Sequence, residues 1–184
     1  SALGAVEVHL ADLTDRKSIA RLAADIKTTP IDVLICNAGI YGPRNQEFGA
    51  TDYAAWEQVL RVNLLAPMAI TEALIENVAQ SQMKRIAMIS SRMGSIALNE
   101  GGDPIYRSSK AALNIVAKGL AEDLRERGII TVALSPGWVR TDMGGSDAPG
   151  APDEAVRGLR KVIASLTMVD TGKFFHTDGS ELPW

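Results

Sequence analysis

The sequence predicts an α/β fold, with a parallel β-sheet covered by helices on both faces. Strand-like and helix-like segments alternate along all 184 residues, a pattern that requires strand–helix–strand crossovers. The strand-like segments are short and mostly apolar, as strands buried between two layers of helices are. No internal repeat, low-complexity tract or linker interrupts the alternation. We therefore expect a single domain over residues 1–184.

Five segments have the composition and spacing of strands: 6–10, 31–36, 85–89, 129–134 and 172–175. Four others have helical periodicity: 15–27, 52–79, 105–127 and 152–166. Thr14 and either Thr51 or Asp52 are the expected N-caps of the first two helices. Gly128 is expected to close the third helix. The stretch 142–152, which contains Gly, Asp and Pro, is expected to be a mobile loop over a site.

Composition argues against several classes of function. With 19 basic and 22 acidic residues the net charge is −3, whereas a nucleic-acid-binding face is strongly basic. Cys36 is the single cysteine, which excludes a disulfide framework and favours a reducing, cytoplasmic location. No uninterrupted apolar run reaches the roughly 18 residues that span a bilayer, so no membrane association is expected. His9 and His176 have no ligand partners nearby in sequence, and no metal site is predicted.

Small and hydroxyl-bearing residues follow three predicted strands, at the end where parallel sheets bind ligands. Residues 37–39 (Asn-Ala-Gly) would let a ligand approach the backbone closely. Residues 90–91 (Ser-Ser) could hydrogen-bond a substrate oxygen, and residues 135–137 (Ser-Pro-Gly) offer free backbone groups. Taken singly, each stretch could equally be an ordinary turn or loop.

Tyr106 and Lys110 lie four residues apart and so share one face of a helix. An ammonium about 4 Å from a phenol contributes roughly 4 kcal/mol at an effective dielectric constant near 20, enough to bring the phenol pKa toward neutrality. Such a phenol can act as a general acid or base. The same spacing also arises by chance, so the pair alone is a weak signal.

Asn63 lies in a segment that is apolar on nearly every face, so its amide needs buried partners. Pro67, four residues on, has no N–H to donate to the Asn63 carbonyl. That carbonyl is expected to be free at a kink, where it could hold an ordered water or ligand. A packing kink with a locally satisfied amide explains the pattern equally well.

These pieces, in this order, resemble the short-chain dehydrogenase/reductase family. The resemblance extends over essentially the whole chain and rests on Asp12, Asn37, Ala38, Gly39, Asn63, Ser91, Tyr106, Lys110, Pro136 and Gly137. The stretch 90–95 and the tail 174–184 resemble the C-factor and carbonyl-reductase-like branch.

The resemblance implies a Rossmann-like, doubly wound parallel sheet and hydride transfer between NAD or NADP and a carbonyl or alcohol. Tyr106 would exchange the proton at the substrate oxygen, and Ser91 would steady that oxygen. Lys110 would lower the pKa of Tyr106 and bind the nicotinamide ribose. Asn63 would hold a proton-relay water on its carbonyl.

The resemblance also implies where the cofactor and partners bind. Asp12 would meet the adenine, while Val139 and Thr141 would hold the carboxamide. The other implied cofactor-binding residues are Asn37, Ala38, Gly39, Tyr106, Lys110, Pro136 and Gly137. The helices 52–79 and 105–127 would form the interface of a homodimer or homotetramer, and the substrate would be a small molecule.

One part of the family pattern is absent. Neither G-x-x-x-G-x-G nor G-x-G-x-x-G occurs among the 16 glycines, and the first two strands are missing along with this phosphate-binding turn. Those strands would lie between segments 5–10 and 31–36, leaving the first without a neighbour and the second with a bare edge. The sequence could be part of a longer chain, a processed fragment, or a chain in which the two segments pair directly. The first explanation is favoured.

Two functions remain open at this point. The first is an oxidoreductase, and the second is a non-catalytic binding or signalling module that kept the fold but lost cofactor binding. The presence together of Asn63, Ser91, Tyr106 and Lys110 favours the oxidoreductase, because a chain released from catalysis has no physical need of all four.

Overall fold

The computed structural model describes residues 5–184, and a four-stranded parallel sheet runs through them. In chain order and in space the strands are β1 (Val33–Cys36), β2 (Arg85–Ile89), β3 (Ile130–Ser135) and β4 (Phe174–His176). The helices are α1 (Arg16–Ile26), α2 (Tyr53–Leu60), α3 (Ala66–Gln80), α4 (Pro104–Asp123) and α5 (Pro152–Ser165). Short 3-10 turns cover Arg92–Gly94, Arg125–Arg127 and Met168–Asp170.

Two apolar cores lie on opposite faces of the sheet. Successive side chains of a strand point to opposite faces, and in β2 the residues Ile86 and Met88 belong to one core while Ala87 and Ile89 belong to the other. Buried residues of α1, α3 and α4 complete the first core, and those of α5 complete the second. The predicted α/β class, with helices on both faces of a parallel sheet, is confirmed.

The predicted strand at 6–10 is wrong. Residues 5–10 have no regular secondary structure, and the side chains of Val6, Val8 and Leu10 are 77%, 78% and 98% exposed. Alternation of apolar and polar residues suits a strand only where a neighbouring strand takes up the backbone hydrogen bonds. Among the described residues β1 pairs with β2 alone, so the direct pairing of the two segments is not found.

The helix ends follow the sequence with one correction. Asp15, not Thr14, caps α1 by accepting hydrogen bonds from the Lys17 and Ser18 amides. The Thr14 hydroxyl instead donates a hydrogen bond to Asp12. Asp52 caps α2, as one of the two expected candidates. Gly128, with φ of 69°, closes the 3-10 turn that follows α4.

A π-helical turn (Arg61–Leu65) joins α2 to α3. The Ala66 amide donates to the carbonyl of Arg61, five residues back, because the widened turn accommodates the missing N–H of Pro67. The irregularity expected near Asn63 is therefore a π turn within one long helix.

The combined helix Tyr53–Gln80 is long and apolar enough, by length and composition, to cross a membrane, with a mean hydropathy of 1.3 over its most apolar window. The count of uninterrupted apolar residues does not detect this helix, since an isolated polar residue such as Asn63 breaks a run without much lowering the average hydropathy. In the structure 39% of that window is buried, and α3 packs on β1 and β2.

Candidate active site

A cleft of about 860 Å³ opens at the carboxyl ends of β1, β2 and β3. Most of the predicted site residues line it: Asn37, Ala38, Gly39, Ser91, Tyr106, Lys110, Pro136, Gly137, Val139 and Thr141. The parallel sheet brings them together because all strands end at the same edge. Asn63 and Asp12 are the two predicted residues that do not line the cleft.

Tyr106 and Ser91 both line the cleft, with their hydroxyl groups close enough to interact. Tyr106 lies in the first turn of α4 and is buried. Ser91 follows β2, and its Oγ accepts a hydrogen bond from the Met93 amide at 3.2 Å. Burial raises the pKa of Tyr106 above its ordinary value, and the interaction with Ser91 offsets part of that rise. The phenol is therefore neutral at neutral pH, as a proton donor must be.

Lys110 lies one turn beyond Tyr106, and its Nζ is 5.8 Å from the centre of the phenol ring. Nζ donates to the carbonyl of Ile89 at 2.9 Å, which ties α4 to the end of β2. Burial lowers the pKa of Lys110 to about 8. The expected shift of the Tyr106 pKa toward neutrality is not found, because desolvation of the phenol dominates; a lowering contribution from Lys110 stays a prediction.

Asn63 lies behind the cleft and is completely buried. Its Oδ1 accepts from the Ile40 amide at 2.8 Å, and its Nδ2 donates to the Ile40 carbonyl at 2.8 Å and to Ser109 Oγ at 2.9 Å. One side chain thus joins the π turn, the loop after β1 and α4. The sequence argument concerned the Asn63 backbone carbonyl, whose role in holding a water stays a prediction.

Gly39 lies where the loop after β1 packs against the π turn and α4. A Cβ at position 39 would lie 3.4 Å from both Asn63 Oδ1 and Lys110 Nζ. On the other side of Lys110, a Cβ at Gly94 would lie only 2.7 Å from the Lys110 backbone carbonyl carbon. The lysine is therefore held between two glycines on two different loops.

The segment that follows β3 forms the far wall of the cleft. Gly137 takes a positive φ of 79°, and Ser135 Oγ accepts from the Arg92 amide at 3.1 Å. Trp138 Nε1 donates to the Gly144 carbonyl at 2.8 Å, and Arg140 donates to carbonyls at 148 and 149. The irregular loop is thus braced by its own side chains, and its mobility stays a prediction.

Four residues beside Tyr106 were not singled out from sequence. Tyr41 stacks on Tyr106 with ring centres 4.6 Å apart, and its hydroxyl interacts with the carboxylate of Asp103. Burial, with Asp103, raises the pKa of Tyr41 to about 12. Arg44 donates to the Met143 carbonyl at 2.9 Å. The fourth residue, Gln46, is buried among them. Only the position of Tyr41, two residues after Gly39, could have drawn attention to this group.

Asp12 lies outside the cleft and is exposed. Its Oδ1 accepts hydrogen bonds from the Thr14 amide at 2.8 Å and the Thr14 hydroxyl at 2.7 Å, and these bonds lower its pKa. The contact between Asp12 and an adenine stays a prediction.

Known proteins resemble this chain along most of its length. Residues 3–151 match the profile of the family described as short chain dehydrogenase. C-signal of Myxococcus xanthus is 44% identical over 163 residues, which are 88% of this chain and 98% of that protein. The 1-hydroxy-2-glutathionyl-2-methyl-3-butene dehydrogenase of Rhodococcus sp. (strain AD45) is 34% identical over 181 residues, covering 94% of this chain and 78% of that enzyme.

The fold has close structural neighbours as well. The NADPH-bound carbonyl reductase from chicken fatty liver superposes with a TM-score of 0.87 and 33% identity, over 95% of this chain and 75% of that one. These comparisons confirm the resemblance drawn from the sequence, including its C-factor and carbonyl-reductase-like branch. The chain belongs to the short-chain dehydrogenase family.

Proposed function

We propose that this chain carries the substrate-binding and proton-transfer residues of an NAD(P)-dependent oxidoreductase that interconverts a carbonyl and an alcohol. The observation that carries the proposal is the buried Tyr106 phenol close to the Ser91 hydroxyl, in a cleft at the carboxyl ends of the strands. A neutral phenol beside a serine hydroxyl can donate a proton to a carbonyl oxygen as negative charge develops there.

Each side chain has a separate task in this proposal. Tyr106 gives the proton to the substrate oxygen during reduction and takes it back during oxidation. Ser91 holds the same oxygen by a hydrogen bond and keeps it within reach of the phenol. Lys110, anchored on Ile89, places a positive charge beside the ring and favours the phenolate left after proton transfer.

The cleft fits the nicotinamide and ribose end of a dinucleotide. The Lys110 ammonium has three N–H donors and one hydrogen-bond partner among residues 5–184, so two donors remain for ribose hydroxyls. Asn37, Val139 and Thr141 would line the nicotinamide site. When bound, the nicotinamide supplies or takes up the hydride. The glycine-rich turn for the pyrophosphate is absent from this sequence, and whether NAD or NADP is preferred stays open.

The proposal is tested by Tyr106→Phe in the complete protein. We expect kcat to fall by about 100-fold or more while the affinity for the nicotinamide cofactor stays nearly unchanged, because the phenol oxygen is lost and the ring is kept. Tyr53→Phe is the matched control, since Tyr53 is exposed on α2. A Tyr106→Phe variant with the kcat of the wild type would refute the proton-transfer role.

A non-catalytic signalling module is the second candidate. It is supported by the 44% identity to a protein named C-signal, which this chain matches over 98% of its length. The two candidates differ in cofactor binding, which a titration of reduced-nicotinamide fluorescence measures. Saturable binding with a Kd on the order of micromolar would exclude the module that has lost its cofactor.

We also infer a homodimer through α2 and α4. α2 is the first part of the predicted helix 52–79, which α3 continues, and α4 corresponds to the predicted helix 105–127. Both helices carry exposed apolar side chains: Tyr53 on α2 and Ile115 on α4, the latter 68% exposed. Leu65 in the π turn between α2 and α3 is exposed as well. Burial of such side chains against a second copy would stabilise the pair.

A further inference from the structure

The N-terminus of α4 has no cap of its own. Its N-cap residue, Asp103, has φ of 46° and ψ of 48° and makes no side-chain bond to the helix. Pro104 has no N–H, and the first intrahelical bond runs from Arg107 to the Asp103 carbonyl at 2.9 Å. The amides of Ile105 and Tyr106 are therefore left without helical partners.

Gln46 supplies the missing cap from a distant part of the chain. Its Oε1 accepts hydrogen bonds from the Ile105 amide at 3.0 Å and the Tyr106 amide at 3.3 Å. Gln46 is only 6% exposed, so water cannot readily replace these bonds. The residue that fixes the first turn of the catalytic helix thus comes from the loop after β1.

The other end of the same amide holds that loop. Gln46 Nε2 donates to the Pro43 carbonyl at 2.8 Å and to the Tyr41 carbonyl at 3.3 Å. All four hydrogen-bonding positions of the amide, two acceptor and two donor, are in use. One side chain therefore fixes the Tyr106 backbone relative to the Tyr41 backbone.

The packing between the two segments leaves little room for adjustment. Gly42, between Tyr41 and Pro43, has φ of 87°, and a Cβ there would lie 3.0 Å from Val59 and 3.5 Å from Ile105. The loop is thus pressed against the start of α4. A change in the amide of Gln46 would be transmitted to both segments.

We propose that Gln46 is a positioning residue that sets the Tyr106 phenol and the Tyr41 ring against each other, and so fixes both the proton donor and the facing wall of the substrate cleft. The proposal rests on the proposed function above. It separates two tasks of one side chain: the Oε1 acceptor orients Tyr106, and the Nε2 donors orient Tyr41.

Two substitutions separate these tasks. Gln46→Met keeps the length of the side chain and removes acceptor and donors together. Gln46→Glu keeps an acceptor for the two amides, favoured at a helix N-terminus, and removes both donors. Gln82→Met, at an exposed position between α3 and β2, is the matched control for replacing a glutamine by methionine, and we expect it to have wild-type kinetics.

The complete protein is assayed with a carbonyl substrate and the reduced cofactor. We expect Gln46→Met to lower kcat by about 10- to 100-fold with little change in the KM for cofactor, because the phenol is displaced and the cofactor site is not. Gln46→Glu should recover most of kcat and raise the KM for the carbonyl substrate, since only the Tyr41 loop is released. If Gln46 were merely a structural cap, Gln46→Met would lower thermal stability, and the division between kcat and KM would be absent.

A measurement that needs no turnover separates this proposal from the proposed function. The stacked tyrosines should give a near-ultraviolet circular dichroism signal, identified as the part lost in Tyr41→Phe/Tyr106→Phe. We expect Gln46→Met to lose that signal while the folded far-ultraviolet spectrum is kept. A retained signal, or wild-type kcat in Gln46→Met, would overturn the positioning role. No turnover in the wild type would refute the proposed function alone, and the dichroism would still decide on Gln46.

Discussion

The rings of Tyr41 and Tyr106 stack 4.6 Å apart, centre to centre, with an angle of 25° between their planes. Tyr41 belongs to the loop after β1 and Tyr106 to the first turn of α4. The stack closes one side of the phenol that we propose as proton donor, so the size of the Tyr41 side chain should limit the size of the substrate.

Replacing Tyr41 should therefore change substrate preference. Tyr41→Ala widens the cleft beside Tyr106, and we expect the ratio of kcat/KM for a bulky carbonyl to that for a small carbonyl to rise by about 10-fold. Tyr41→Phe keeps the ring and loses only the hydroxyl group and its interaction with Asp103, so its ratio should stay close to that of the wild type. Equal ratios in all three proteins would contradict the assignment of Tyr41 to the substrate wall.

Lys110 should make the stability of the protein depend on pH. Its pKa is about 8 in the folded protein against an ordinary value of 10.5, so between these values the unfolded chain binds more protons and the stability rises with pH. Below the folded pKa both states are protonated, and the burial of the charge is then most unfavourable. Relative to Lys110→Met, the wild type should gain about 2 kcal/mol between about pH 7 and 9.5.

Urea unfolding of the two proteins at several pH values within that window measures this gain. A difference in unfolding free energy that does not change with pH would mean that Lys110 is not desolvated in the folded state. Cys36, Tyr41 and Tyr106, whose pKa values are raised, oppose the trend at high pH in both proteins. Their contributions cancel in the difference between the wild type and Lys110→Met.

Cys36 should be inert in the native protein. It is buried at the end of β1, and burial raises the pKa of its thiol to about 11. At pH 8 the thiolate fraction, and with it the rate of reaction with a disulfide reagent, should be about 100-fold lower than in the urea-unfolded chain. Because Cys36 is the single cysteine, the absorbance of the thiol released from a chromogenic disulfide reagent reports on it alone. Similar rates in the native and urea-unfolded protein would show that the thiol is accessible.

Gly94 and Gly119 offer a matched pair of alanine substitutions. Gly94→Ala places a Cβ 2.7 Å from the Lys110 carbonyl carbon. It should lower the free energy of unfolding by about 1–3 kcal/mol and reduce turnover, because it separates Ser91 from α4. Gly119 lies inside α4, and within residues 5–184 no neighbouring atom comes within 4 Å of an added Cβ. Gly119→Ala should therefore raise the free energy of unfolding by about 0.5–1 kcal/mol. Thermal unfolding measures both, and equal effects would argue against the close packing at Gly94.

The inferred dimer predicts that a charge at Ile115 separates the subunits. Ile115→Lys should convert the dimer into a monomer in light scattering coupled to gel filtration, because an ammonium would be buried without a partner. Val169→Lys is the control, since Val169 is also exposed but lies in the Met168–Asp170 turn after α5. A dimer that survives Ile115→Lys would place the interface elsewhere.

Local patterns were enough for most of the fold. The strand 85–89 was predicted to the residue, and the other three strands of the sheet shifted by at most two residues at either end. The failure at 6–10 is physical: a strand needs a hydrogen-bonding neighbour, and alternation within one segment cannot supply it. Sequence pattern fixes which face of a segment is apolar, but not whether a partner is present.

The site divides in the same way. Tyr106 and Lys110 were recognised because their spacing on one helix is visible in the sequence, and Ser91 because it follows a strand. Gln46 and Tyr41 were not, since their contacts with α4 span about 60 residues of chain. The direction of the Tyr106 pKa was also missed, because desolvation depends on the whole packed environment and not on the nearest charge.

The one-sided pairing of β1 has a consequence for how the molecule opens. β3 is bonded on both sides and buried at all six residues, whereas within residues 5–184 β1 is bonded to β2 alone and Ile35 is 49% exposed. Amide hydrogens should therefore exchange with solvent deuterium fastest in β1 and slowest in β3. The least protected strand leads directly into residues 37–39, so the same local unfolding that exposes its free edge would loosen one wall of the cleft.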